Sequence, residues 1–581
     1  MILNNELMIK RTPIRRAAVL LAALILCLSC MTGCGSEDTT QQADASGDYD
    51  FTYSDRDLDP SYDEGDATMI TLEDSEISVD GKGASAEGST LSIESEGTYI
   101  VSGVLSDGQI TIETDDTEKV QLVLNGVDIA CSDNAPILIK ESDKVFITLA
   151  PESQNTLTGP DAYSAEATED SIDGVILSRA DLCINGSGGL TVTTASGHGI
   201  VSKDDLIITG GSYSIITSGD GLQGKDCVKI KDGTFAIEAD NDGIKSNNAE
   251  DADRGFVSID GGVFNITAGY DGIQAETLLR VADGNLTITT GGGSAYASTQ
   301  SDWGSSWGGG AAGQPPGATM GPGGDSSSDS STDSTSDSVS AKGLKGNLGV
   351  TILDGTVTID SSDDSIHSNG DVQIDGGTMN ISSGDDGMHA DSDLTVNGGK
   401  ITITQSYEGI EGNTITLNDG IISLVASDDG LNAAGGNDGS STDDRAGADD
   451  FAVDETAFIE INGGTLEVDA SGDGIDSNGD LTVTGGNIYV SGPVNDGNGT
   501  LDYAGEASVD GGVIVAAGSS GMAQGFGSGS AQCSLLYGFG SSQSAGSEVS
   551  LVDSSGKTIA SYSPSKTYTS VIFSSSDMAE G

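Results

Sequence analysis

Positive charge is scarce in this sequence. Its 581 residues hold 23 Lys and Arg against 91 Asp and Glu, a formal net charge of −68. A surface that acidic repels phosphate backbones, which excludes nucleic acid as a partner. Aromatics are sparse as well, at 4% of residues, and both tryptophans, Trp303 and Trp307, fall in one Gly/Ser-rich stretch. Proline is limited to 10 residues and the 85 glycines follow no G-X-Y period, so a collagen-like chain is excluded. Beyond the N-terminal region only Cys131, Cys183, Cys227 and Cys533 remain, without zinc-like spacing, and buried free thiols are expected. What is present is regular Val, Ile and Leu, bringing the apolar share to 35%, more than a disordered chain carries.

The N-terminus has the pattern of an address. Lys10, Arg11, Arg15 and Arg16 precede an apolar run from Ala17 to Leu28, too short to span a bilayer. The run leads to Met31-Thr32-Gly33-Cys34, which looks like a bacterial lipobox. The expectation is a signal peptide over 1–33, lipidation of Cys34, and display on the extracellular face of the cell membrane, with the anchor as the membrane contact. Residues 34–66 are Ser/Thr/Asp/Gln-rich and read as a disordered tether.

Two glycine columns then share one ruler. The first holds Gly189, Gly211, Gly233, Gly262, Gly284, Gly355, Gly377, Gly399, Gly420, Gly464, Gly486 and Gly512, mostly 22 residues apart. The second, acidic-Gly-apolar, holds Gly221, Gly243, Gly272, Gly387, Gly409, Gly430 and Gly474. Apolar residues alternate between them, as in Leu394-Thr395-Val396 and Ile401-Thr402-Ile403, and no helical period intervenes. Short strands, glycine turns and a fixed period predict an all-β fold, a right-handed single-stranded parallel β-helix with about 22 residues per coil. A propeller needs about 40 residues per repeat and leucine-rich repeats need a Leu/Asn ladder; neither fits. Residues 67–165 read as irregular N-terminal coils and cap, 166–530 as the β-helix, and 531–581 as a C-terminal β cap. Steps of 71 and 44 residues in the columns mark disordered inserts at about 291–340 and 433–454.

Stacked coils convert one residue into a row with strand spacing. The residue before each second-column glycine forms an acidic ladder: Asp220, Asp242, Asp271, Lys342, Asp364, Asp386, Glu408, Asp429 and Asp473, preceded by Asp363, Asp385 and Asp428 where the acid is doubled. Such a ladder needs hydration or cations. Ca²⁺ suits carboxylates and turn carbonyls, and the expected ligands are Asp220, Asp242, Asp271, Asp363, Asp364, Asp385, Asp386, Asp428, Asp429 and Asp473. Asp-Gly is also ordinary turn chemistry, with the side chain accepting backbone N–H groups; the doubled acids favour the metal.

Two residues after the glycine runs a polar row: Gln223, Lys245, Gln274, Lys345, His367, His389, Glu411, Asn432 and Asp476. Alternation predicts that it points outward, either as a plain polar stripe or as a polysaccharide track in which amides, ammonium groups and imidazoles bond sugar hydroxyls and carboxylates. A lyase is an alternative, with Ca²⁺ acidifying a uronate α-proton and Lys245 abstracting it. A structural or adhesive rod is another. A monomer is expected.

The order and spacing of Gly97-Thr98-Tyr99-Ile100-Val101-Ser102-Gly103, Ser106-Asp107-Gly108-Gln109-Ile110, Leu122-Val123-Leu124-Asn125-Gly126-Val127-Asp128-Ile129, Ser340-Ala341-Lys342-Gly343-Leu344 and the Asp-Asp-Gly repeats resemble clostridial carbohydrate-binding, polysaccharide-lyase-like cell-surface proteins over roughly 67–575. The resemblance implies a right-handed β-helix with bound Ca²⁺ that binds cellulose and acidic plant polysaccharides such as pectin, without established lyase activity.

Overall fold

The computed structural model describes residues 49–74, 76–297, 340–433 and 453–578. The expected signal peptide, Cys34, both tryptophans and most of the two expected inserts lie outside the described residues. Strands dominate, and hydrogen bonds join 46 of them into one continuous, mostly parallel system. Through most of the repeat each strand pairs with the one three places on: Ser212–Thr217 with Thr234–Ala239, then Val263–Ala268, and Leu222–Gly224 with Ile244–Ser246, then Ile273–Ala275. Three strands thus make one rung, a winding compatible with a β-helix. The pairing runs past both inserts, since Leu286 pairs with Val357 and Ile422 with Leu466.

Alternation sets what faces inward. Along Thr234–Ala239, Phe235, Ile237 and Ala239 are buried while the intervening residues are exposed. Equivalent side chains stack rung on rung: the Tyr213, Phe235 and Phe264 rings lie 4.8 and 4.7 Å apart and nearly parallel, at the separation of paired strands.

The two glycine columns exist for different reasons. First-column residues such as Gly355 (φ +106°) occupy the left-handed region that other residues avoid. The second column is instead governed by crowding. A Cβ on Gly387 would lie 2.5 Å from the carbonyl oxygen of Gly409 in the next rung. Positive φ therefore accounts for the first column from Gly211 on and for none of the second.

The ends depart from the repeat. Thr68–Glu73 pairs antiparallel with Glu76–Asp80 and parallel with Gly97–Leu105. At the other end Tyr568–Ser575 pairs antiparallel with Val513–Gly518, so the last parallel edge is covered. A short helix, Ala165–Glu169, begins at Ser164, whose side chain accepts from the Ala167 N–H. Among the described residues no helix is long and apolar enough to cross a membrane.

The tether expected over 34–66 is folded where it is described. From Tyr49 onward it straps the outer face of one sheet. The Phe51 and Phe256 rings meet edge-on at 5.5 Å, Arg280 lies 4.8 Å from the Phe51 ring centroid, and Lys229 donates to the Asp50 and Thr52 carbonyls. Asp57, nearly buried, pairs with Lys144 at 2.8 Å, and Arg56 covers the Phe146 ring. Composition hides this because the aromatic anchors are few and spaced among acids. The first insert likewise starts later than 291. Residues Ser294–Tyr296 form a 3₁₀ turn in which the Ser294 N–H donates to Asp360 and its hydroxyl meets that of Ser382. Cys131, Cys183 and Cys227 are buried and Cys533 half-buried, all as free thiols.

Candidate functional site

The acidic ladder sits just before the shortest strands of each rung, and its two carboxylate oxygens have separate duties. One oxygen accepts the backbone N–H of the next ladder residue: Asp242 from Asp271 at 2.9 Å, Asp271 from Lys342 at 2.8 Å, Asp364 from Asp386 at 3.0 Å and Asp386 from Glu408 at 3.1 Å. Asp429 accepts from Asp473, and Asp473 from Gly499, in the same way. This is the turn chemistry expected of Asp-Gly, extended between rungs.

The other oxygen meets a cation in the upper rungs. Asp242 meets Lys245 at 2.6 Å and Asp271 meets Lys345 at 3.4 Å, whereas at Asp220 the backbone N–H donates to His198 Nδ1 at 2.8 Å. Lys342 stands in the ladder itself; its ammonium lies 2.6 Å from Asp364 and 3.1 Å from Asp363. Burial would raise the Asp364 carboxyl, but the Lys342 ammonium and His367 hold it well below the usual carboxylate range.

The lower rungs are different. His389 lies in a buried knot, its Nδ1 2.8 Å from Glu411 and 3.4 Å from Asp386, its Nε2 3.0 Å from Asp391. Burial works against its proton, yet these three carboxylates push its pKa well above that of free histidine. Below it no lysine, arginine or histidine pairs with Glu408, Asp429 or Asp473 among the described residues. Burial, then repulsion from Asp385 and Glu411, raises Asp386. Burial with Glu411, Asp386 and Asp429 raises Glu408. Burial with Asp428, Asp473 and Asp476 raises Asp429, and burial raises Asp473 to about 7 against the Gly499 N–H, helped by Asp476.

The outward stripe holds only in part. Gln223, Lys245, Gln274 and Lys345 are half-buried, whereas His367, His389, Glu411 and Asn432 are buried. The cause is a polar partner in the same or the neighbouring rung: His367 Nδ1 lies 2.9 Å from Asp364, Lys245 closes on Asp242 and Lys345 on Asp271, Glu411 meets His389, and Asn432 donates to Glu408. His367 and His389 then stack, with ring centroids 5.0 Å apart. Lys245, Lys345 and His389 therefore supply counter-charge to the ladder rather than a free track. Lys245 does not fit a lyase base, because its ion pair with Asp242 outweighs burial and raises its pKa.

The ladder residues gather into sets that could hold a cation: Asp429, Asp473 and Asp476; Asp363, Asp364 and Asp385; and Asp386, His389 and Glu411. In the second the Lys342 ammonium already stands between Asp363 and Asp364. The third includes an imidazole, and the first offers oxygen alone, the donor type Ca²⁺ takes. Nearby, Asn432 donates to Glu408 at 2.6 Å while its carbonyl oxygen is buried without a hydrogen-bond partner. That orphan acceptor in an acidic setting fits a cation better than it fits another carboxylate. A further set, Asp181, Asp204 and Asp205, was missed from sequence, although Asp204 and Asp226 keep the 22-residue ruler. Arg254 partly offsets it, 3.3 Å from Asp205 and 2.9 Å from Asp226. Burial, then the charges of Asp181 and Asp226, raises Asp204 to about 6.

A family model for carbohydrate-binding domain-containing proteins matches residues 87–387 and 386–519. A carbohydrate-binding domain-containing protein of Acetivibrio thermocellus is 38% identical over 277 residues, covering 47% of this chain and 91% of that protein. A solved polysaccharide lyase-like protein from C. thermocellum, in its gadolinium derivative, is 33% identical and covers 39% of this chain and 92% of its own, with a TM-score of 0.38.

Proposed function

The chain belongs to the carbohydrate-binding domain-containing protein family, and on that premise we propose that it is a cell-surface lipoprotein that binds plant-type polysaccharide, acidic or cellulosic, with calcium held in the lower ladder of a right-handed parallel β-helix of about 22 residues per coil. Family membership carries the carbohydrate reading. The calcium reading is supported by the all-oxygen set Asp429, Asp473 and Asp476, with Asp428 beside it. These residues would hold the ion, and a bound Ca²⁺ supplies the positive charge that a polyanion needs before an acidic glycan can approach it. The upper carboxylates Asp242, Asp271 and Asp364 already have lysine partners, and Asp220 faces His198, so they give this reading no comparable support. The lipobox at Cys34 supports the anchor.

A glycan array probed with the whole protein, with Ca²⁺ and then with chelator, tests this directly. Acidic glycans should be retained with calcium and released by chelator. No retention of any glycan in either condition would leave the chain as a structural rod. Retention unaffected by chelator would remove calcium from the account while keeping carbohydrate binding.

A further inference from the structure

We propose that the corner of the fold carrying Tyr270, Tyr296 and Tyr407 is a binding site for a neutral, extended glycan. The inference rests on the carbohydrate-binding reading above and locates where one class of glycan docks. Tyr270 directly precedes the ladder residue Asp271, and Tyr407 directly precedes Glu408. The strands that follow keep one unbroken register, Ile273 to Leu344 to Ile366 to Met388 to Ile410. The two tyrosines therefore share a row four strand spacings long, about 19 Å. Tyr296 stands at a level between them, because its turn is tied to Asp360 and Ser382 in the intervening rungs.

All three side chains are open to solvent, at 41%, 74% and 39%. Tyr213, Phe235 and Phe264 are instead stacked inside, and the other exposed rings, Phe458 and Tyr537, lie outside this corner. In a chain with so few aromatics, three exposed rings along five consecutive rungs form an apolar feature with a direction. Asp363 and Asp385 occupy the same row between Tyr270 and Tyr407, both half-exposed. Tyrosine faces stack on the C–H faces of sugars, and carboxylates accept bonds from sugar hydroxyls. The same carboxylates repel uronates, so charge selects a neutral polymer and makes its binding independent of Ca²⁺. Acidic glycan held through calcium at Asp429, Asp473 and Asp476 would be a separate event lower on the ladder.

Isothermal titration of the full chain with cellohexaose as the neutral probe, and with polygalacturonate plus Ca²⁺ as the acidic one, separates the cases. The variant Tyr270→Ala/Tyr296→Ala/Tyr407→Ala should bind cellohexaose at least about tenfold more weakly, while the corresponding triple Phe variant stays within about threefold of the parent. Chelator should leave cellohexaose binding unchanged, and the Ala variant should keep its polygalacturonate binding. A thermal melt matching the parent confirms that each variant is folded. Parental affinity in the Ala variant would overturn the proposed corner but not the family reading. A parent that binds polygalacturonate and ignores neutral glycan would overturn the ligand class, and a parent that binds neither would end both readings.

Discussion

From Asp242 to Asp364 each buried ladder acid meets Lys245, Lys345 or Lys342, whereas from Asp386 down, among the described residues, a single imidazole, His389, stands among Asp386, Asp391 and Glu411 and the acids below it crowd one another. The winding continues through both stretches, with register shifts at Ile381/Ser382 and Ala390/Asp393, and Asp242, Asp364 and Asp386 alike accept an N–H from the next rung. The halves differ most in where the neutralising charge comes from. In the upper half it is covalently part of the protein and permanent. In the lower half the described residues offer His389 alone, and protons or the calcium proposed above would supply the rest.

Removing the built-in charge should have the largest effect. Lys342→Met leaves Asp363 and Asp364 buried without their ammonium and should cost roughly 3–5 kcal/mol, read by urea unfolding. If the loss were under about 1 kcal/mol, upper and lower halves would be equivalent and the contrast would fail. The next largest effect is that of pH on the lower half. In chelator, Asp473 holds its proton to about pH 7 when folded but only to about 3.9 when unfolded. The folded state then binds more protons, and stability should fall as pH rises from about 4 to 7. His389 adds the same sign at higher pH: its charge stabilises below about 6.5, and that contribution is lost as pH climbs through its raised folded value. Calcium should flatten the acid limb of a melting-temperature profile; an equal slope with and without calcium would mean that protons alone neutralise the lower ladder. Asp429→Asn with Asp473→Asn should raise stability in chelator and abolish any calcium-induced rise in Tm, because it removes both the repulsion and the ligands. A smaller change is expected at Lys245, half-buried against the buried Asp242, where Lys245→Met should cost about 1–3 kcal/mol.

The winding and the ladder were legible in the sequence because both repeat. Gly355 and Gly387 announce their columns by position alone, although the physical reasons, a left-handed backbone at one and a neighbouring carbonyl at the other, appear only when the rungs are stacked. The direction of the His367 and His389 side chains was not legible. Alternation places Cβ on the outer side of a strand, but a carboxylate three residues back draws the ring inward, and that is a pairwise electrostatic choice with no period. The strap around Tyr49, Phe51 and Asp57 was hidden for the same reason: it touches the repeat without belonging to it.

That strap also decides where a pull on the N-terminal side of the chain is felt. The polypeptide reaches the fold at Tyr49, beside Phe256, and only afterwards runs back past Lys144 to the first strand, Thr68–Glu73. Tension from that side meets the middle of the sheet's flank before it meets the end strand. The rings on Phe256, the guanidinium over Phe51, the lysine on the Asp50 carbonyl and the Asp57 ion pair would give way in turn, each a small yield. A molecule held in flowing liquid while gripping a solid would thus have a sacrificial fastening, one that lengthens under load and leaves the hydrogen-bonded rungs unstressed.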